Sequence, residues 1–296
     1  MSARIGDVLV SPIGLGTAPL AFTSVSESAA VETVRAAIDA GVTLIDTALA
    51  YSRPGVESYA ESVVRKARAG RASDEVLVAT KGGHWRSGNE FPIDASRAAL
   101  RSHCEISLRT LGVERIGLYQ LHHVDPLVPL AESVAALDEL RAEGKIAMIG
   151  LSNVGVAQIE DARSVATITA VQNRLSFDWP ADLPTARYCA DAGIAYLAYM
   201  PLGGPDLAKA PTSDARASIA ARHGVSVQQV SLAWLLALDS GIVPLVGSSR
   251  PETIIDSAES ASLELDAEDR ELLGTITQYP ARSRRPEPPP SEPGTV

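Results

Sequence analysis

The chain has 296 residues, of which 46% are apolar and 21% charged, with a formal net charge of −10 and a mean hydropathy of +0.08. This falls in the size range of one eight-fold α/β barrel and supplies a sizeable core, which excludes a disordered or fibrous chain, and the negative field disfavours nucleic acids and acidic membranes as partners. Cys104 and Cys189 cannot build a disulfide framework or a Cys-based zinc site, no apolar run approaches the ~18–20 residues of a membrane span, and Met1 to Val10 lacks a signal-peptide core, so a cytoplasmic location is expected.

In chain order, runs rich in branched apolar residues predict strands at Gly14 to Leu20, Thr43 to Thr47, Val76 to Thr80, Ile116 to Leu121, Ile146 to Leu151, Ile168 to Gln172, Ile194 to Met200 and Ile242 to Val246. Helical periodicity lies between them. Ala30, Val34, Ala37 and Ile38 precede Gly41, and Leu130, Val134 and Leu137 precede Gly144, so each helix face is followed by a stop signal. Eight strands alternating with helices imply parallel pairing and an α/β fold of the (β/α)8 TIM-barrel type, with a short N-terminal hairpin, over residues 1–279. An open doubly wound sheet competes, but Gly14-Leu15-Gly16 lacks the third glycine of a dinucleotide fingerprint. Residues 280–296 hold six of the 19 prolines and predict a flexible Pro-rich tail.

Barrel active sites lie at the C-terminal ends of the strands. There Asp46 ends the second predicted strand, Tyr51 follows five residues later, Lys81 directly follows the third and His122 the fourth. Singly, each has an ordinary structural explanation. Together they set an acid, a phenol, an ammonium and an imidazole around one barrel mouth, which suits proton transfer.

These residues carry a family resemblance. Asp46-Thr47-Ala48-x-x-Tyr51, Leu118-Tyr119-Gln120-Leu121-His122, Ile149-Gly150-Leu151-Ser152-Asn153, Val171-Gln172-Asn173, Tyr199-x-Pro201-Leu202-Gly203 and Val246-Gly247-Ser248-Ser249-Arg250 occur in order and at barrel spacing. The chain thereby resembles the aldo-keto reductases over nearly its whole length. The resemblance implies reduction of an aldehyde or ketone by hydride transfer from NADPH, with NADH a lesser donor and no metal. Tyr51 would be the general acid, Lys81 would lower its pKa, Asp46 would hold Lys81, and His122 would orient the carbonyl.

The resemblance also implies a coenzyme site. Ser152, Asn153 and Gln172 would bind the carboxamide and Tyr199 would stack on the nicotinamide, while Pro201, Leu202 and Gly203 with Gly247, Ser248, Ser249 and Arg250 would form the phosphate loops. Asp256 would stand near the adenine, although Asp256-Ser257 replaces a commoner Glu-Asn. Two further departures are Gly117, where many members carry Asp, and Ser52-Arg53-Pro54 after the tyrosine. Phe22, Leu49, Trp85, Arg86, His123, Trp179 and Pro180 are the candidate substrate residues, with Trp85 and Trp179 favoured for ring stacking and Arg86 suited to a carboxylate or phosphate. The partner expected is a small-molecule carbonyl compound, and oligomeric state is not legible. Two other readings compete: a nicotinamide-nucleotide-sensing regulatory subunit, and a barrel isomerase or aldolase using Lys81 as base or Schiff-base amine.

Overall fold

In a computed structural model, which describes residues 2–72, 75–204 and 215–277, the alternating strands and helices close into a barrel. A hairpin of β1 (Ala3–Ile5) and β2 (Val8–Val10) precedes β3 (Gly14–Gly16), the short α1 (Ala18–Phe22) and α2 (Glu27–Asp39). Then come β4 (Leu44–Asp46), α3 (Tyr59–Arg68), β5 (Leu77–Gly82), α4 (Arg97–Leu111), β6 (Ile116–Leu121), α5 (Leu130–Ala142), β7 (Ile146–Ser152) and α6 (Val156–Arg163). The circuit is completed by β8 (Ile168–Arg174), α7 (Leu183–Asp191), β9 (Ala195–Tyr199), the pair α8 (Ala215–His223) and α9 (Val227–Leu238), β10 (Ile242–Gly247), α10 (Pro251–Glu259) and α11 (Ala267–Thr277). β3 to β10 form the closed barrel, each strand parallel to both neighbours. The proline-rich segment 280–296 lies outside the described residues.

Side-chain alternation decides what the barrel holds. Leu44, Ala79, Leu118, Ala170, Leu197 and Leu245 share one interior cluster, into which the hairpin inserts Ala3, Ile5 and Val10. The N-terminal mouth is thus plugged by apolar side chains. Two residues further along the same strands, the inward positions become Asp46, Lys81, Gln120 and Gln172, because period two keeps them on the same face. The strands therefore carry a polar layer stacked on an apolar one. Gly150 makes room for it, since a Cβ there would lie 2.8 Å from the Gln120 Cγ. The second cluster fills the space between strands and helices and includes Cys104 and Cys189, both free and fully buried.

Two strand boundaries differ from the sequence reading where the difference bears on the site, the others matching or moving by one or two residues. The first strand stops at Gly16 rather than Leu20: Thr17 donates from its N–H and Oγ1 to the Asp46 carbonyl, and Pro19, which lacks an N–H, enters the first turn of α1. The third runs on to Gly82, so Lys81 sits inside β5 instead of after it. A Gly-Gly pair reads as a turn, yet Gly82 is glycine because the buried Tyr119 hydroxyl occupies the place of its Cβ. Gly82→Ala is accordingly expected to destabilise the fold by about 1–3 kcal/mol, the range for overpacking, read as a lower urea midpoint with an unchanged m value.

Candidate active site

The polar layer is organised by Lys81, which is fully buried. Its ammonium donates to Asp46 Oδ2 at 2.8 Å, to the Thr47 carbonyl at 2.9 Å and to Tyr51 Oη at 3.2 Å. All three donors are thereby used. Asp46 Oδ1 accepts from Gln172 Nε2 at 2.7 Å and from Gln120 Nε2 at 3.4 Å, so a buried carboxylate and a buried ammonium satisfy one another within a hydrogen-bonded shell. The lysine lies behind the tyrosine, sealed from the cavity, and this arrangement is unsuited to nucleophilic attack or Schiff-base chemistry.

Proton affinities follow from burial. Burial would lower the Lys81 pKa, but Asp46 and the Tyr51 oxygen more than reverse it, and the ammonium is held charged. For Tyr51 the net direction corrects the sequence expectation: burial raises the phenol above its ordinary value, and the lowering effect of Lys81 is smaller. Tyr51 therefore stands loaded with its proton at neutral pH. His122 is pushed well below the ordinary imidazole range by burial, then by Lys81 and by its neighbours His123 and His84. Its Nδ1 is sealed without a partner, which leaves Nε2 as the edge available to a ligand.

These groups open on a cavity of about 740 Å³ whose wall includes Tyr51, His122, Ser152, Asn153, Gln172 and Tyr199. Asn153 adopts a left-handed backbone, φ 61°, and bridges the wall: Nδ2 donates to the His122 carbonyl and to Ser152 Oγ, both at 3.1 Å, and Oδ1 accepts from Tyr199 Oη at 2.8 Å. The remaining capacity is informative. Ser152 keeps its hydroxyl proton, Gln172 keeps Oε1 because Asp46 fixes its amide nitrogen, and Asn153 Oδ1 keeps a second lone pair. One donor and two acceptors complement a primary carboxamide, which has one carbonyl oxygen and two N–H protons. The chemistry of this donor set fits a nicotinamide.

The cavity continues past Pro201, Leu202 and Gly247 to the first turn of α9, where Arg216 is held between both Asp178 carboxylate oxygens, at 2.8 and 3.0 Å, and the Phe177 ring. Several candidates for the coenzyme fall outside its wall. Gly203 turns the chain with φ 85° and its carbonyl accepts from Arg174. Ser248 Oγ closes its loop onto the backbone of Arg250, donating to the carbonyl at 2.8 Å and accepting from the N–H at 3.2 Å, beside Ser249. Arg250 precedes Pro251 at the start of α10 with its side chain 70% exposed and 3.5 Å from Glu252, so it is free to turn toward an anion. Asp256 lines a separate cleft of about 430 Å³ and accepts from Ser226 Oγ at 3.1 Å.

Of the substrate candidates, Phe22 and His123 reach the cavity wall. The others do not. Leu49 is buried in the packing, Trp85 leans on His103 at 5.1 Å, and Trp179 is capped by the Arg174 guanidinium at 4.5 Å, with Pro180 opening the short 3-10 turn beyond it. Arg86 donates from Nε to the Gly88 carbonyl and from Nη1 to the Ser52 carbonyl and lies over the Phe91 ring, away from the cavity wall. The departure after Tyr51 also has a reason: Arg53 donates to the Leu20 and Val25 carbonyls, both at 2.6 Å, and stacks on Tyr59 at 3.9 Å, tying the tyrosine loop to α1. Gly117, where an Asp is common, packs directly on the Leu77 side chain. Sequence reasoning missed His84, although it follows β5 where strand-end rules direct attention. It also missed Asp178 and Arg216, whose pairing across 38 residues leaves no local signal.

Comparison with known proteins shows the family. Residues 12–277 match the model of the Aldo/keto reductase family. Aldo-keto reductase YhdN of Bacillus subtilis is 30% identical, over 90% of this chain and 90% of its own. A 6-dehydroglucose reductase of Novosphingobium aromaticivorans is 30% identical over 88% and 90%. Among solved structures, an aldo-keto reductase of Klebsiella pneumoniae in complex with NADPH superposes with a TM-score of 0.84 at 28% identity, covering 96% of this chain and 97% of its own.

Two outcomes follow for the empty protein. Lys81→Met strands a buried carboxylate and should cost about 3–5 kcal/mol, while Asp46→Asn combined with Lys81→Met should recover much of that loss in urea unfolding. The imidazoles set an acid limit. His123 is depressed to about 4 by burial, then by His84 and Lys81, while an unfolded imidazole titrates near ~6.5. Between those values the unfolded chain binds the extra proton, so stability falls as pH drops through that window. The difference in urea midpoint between pH 7 and pH 5 should shrink in His123→Phe.

Proposed function

The chain belongs to the aldo/keto reductase family of oxidoreductases, and on that premise we propose that it reduces an aldehyde or ketone to an alcohol with NADPH in preference to NADH. The observation that carries this reading is the Asp46–Lys81–Tyr51 bridge, opening on a wall whose free hydrogen-bonding capacity complements a carboxamide. A bound reduced nicotinamide would supply the hydride.

The chain's own residues do the rest. Tyr51 Oη delivers its proton to the carbonyl oxygen as negative charge develops there, and Lys81, kept cationic by Asp46, stabilises the phenolate left behind. Neutral His122 donates from Nε2 to the same oxygen and fixes the approach of the carbonyl. Ser152, Asn153 and Gln172 orient the carboxamide, and Tyr199, held by Asn153, offers its ring as a stacking face. Arg250 and the N–H groups opening α10 receive the 2′-phosphate, for which a chain of net charge −10 needs a dedicated cation. The NADPH bound in the Klebsiella pneumoniae relative supports the choice of coenzyme.

Tyr51→Phe removes the acid and little else, so NADPH affinity by fluorescence should persist while kcat falls ~10²-fold or more. Reduction of an activated aldehyde at the wild-type rate by this variant would remove Tyr51 from the role. Arg250→Ala should weaken NADPH by about 1.5–3 kcal/mol, toward the lower end given its exposure, and leave NADH nearly unchanged. Equal weakening of both coenzymes in titration calorimetry would refute the assignment.

A further inference from the structure

A circuit of rings joins the cavity wall, at Phe22, Tyr51, His122 and His123, to His84 and Phe91 beside it. Phe22 packs edge-to-face on Tyr51 at 5.8 Å and on Phe91 at 5.9 Å, and Phe91 meets His84 at 5.7 Å. His84 stands edge-to-face on His122 at 5.0 Å and on His123 at 4.9 Å, and His122 closes the circuit to Tyr51 at 6.0 Å. His122 and His123 are stacked, 5.0 Å apart and 14° from parallel. The chain has three phenylalanines and five histidines, and two of the former and three of the latter meet here. Phe22 is 50% exposed, so apolar ring surface beside the general acid is left uncovered.

The arginines around the same mouth are, among the described residues, already engaged. Among the described residues Arg216 is the one cation on the cavity wall, and Asp178 holds it in a two-pronged pair. Arg86 and Arg53 are engaged by backbone carbonyls and by the rings of Phe91 and Tyr59.

We propose that this collar selects uncharged aryl aldehydes and ketones, the aryl group packing against Phe22 and His123 while Tyr51 and His122 engage the carbonyl oxygen. His84 acts through its neighbours: Nδ1 is 3.0 Å from the Pro92 carbonyl and must donate to it, which fixes the ring that supports His122 and His123. It is a positioning residue. Burial lowers all three imidazoles, so they present neutral aromatic surface at neutral pH, and a carboxylate brought among them would lose water without an ion pair from any of the three. The inference rests on the carbonyl-reductase reading and narrows it to one substrate class.

The test compares benzaldehyde, 4-carboxybenzaldehyde and glyceraldehyde as substrates of the full chain with NADPH. Wild type should favour benzaldehyde over both others in kcat/KM by about tenfold or more, the scale of discrimination in an apolar pocket. Phe22→Ala should lower the benzaldehyde-to-glyceraldehyde ratio about tenfold through KM, and the half-exposed Phe22→Arg should shift preference toward 4-carboxybenzaldehyde. His84→Ala should lower the same ratio through KM, with far-ultraviolet circular dichroism showing an intact fold. Comparable kcat/KM for the three aldehydes, or an equal loss on all three in Phe22→Ala, would overturn the collar while leaving the reductase reading in place. Turnover of none of them would overturn both.

Discussion

A lysine ammonium fully enclosed by protein is the constraint around which the upper barrel is arranged. Isolated, it would be expelled or neutralised, since the desolvation of a buried charge outweighs any single contact. Here Asp46 supplies the counter-charge, Thr47 and Tyr51 supply the remaining acceptors, and Gln120 and Gln172 hold the far oxygen of Asp46. Asp46, Thr47 and Tyr51 come from β4 and the loop after it and Lys81 from the neighbouring β5, whereas Gln120 and Gln172 come from β6 and β8, so the shell around the pair is complete only once the barrel has closed. The same closure brings the phenol to the cavity with its proton in place.

Polarity along the barrel axis gives that site one direction. The hairpin fills the N-terminal mouth with Ala3, Ile5 and Val10, and the layer above it is apolar. Charge and hydrogen-bonding capacity begin only in the next layer and reach solvent through the other mouth. Asn153 ties that layer to the wall: one left-handed residue links the His122 backbone, Ser152 and Tyr199, so the groups that would face substrate and coenzyme are set by one side chain.

The barrel was legible because strand and helix periods differ and recur eight times. The quartet was legible because strand ends are where barrels place chemistry, and Asp46, Tyr51, Lys81 and His122 meet as that rule requires. What failed was local. Trp85, Trp179 and Arg86 have the side chains a substrate pocket would want, but orientation is set by contacts with His103, Arg174 and Ser52 that composition does not encode. The direction of the Tyr51 shift was misjudged for a similar reason: a charge pair is visible in sequence, whereas the depth of burial that outweighs it is a property of the closed barrel. Arg216 and Asp178 meet only through the packing of α8 against the loop after β8, and the adjacent Phe177 ring completes their setting.

The two cysteines gain significance in a protein that handles carbonyl compounds. Thiolates add to unsaturated aldehydes, and an exposed sulfur near such a cavity would be alkylated in use. Cys104 and Cys189 are packed between barrel and helices, and burial pushes both thiols up to about 12, which keeps them protonated and unreactive at neutral pH. Having no other cysteine, the chain presents no accessible thiol to the electrophiles it would bind. The packing that stabilises the outer layer would also keep both thiols out of reach of electrophilic carbonyl compounds.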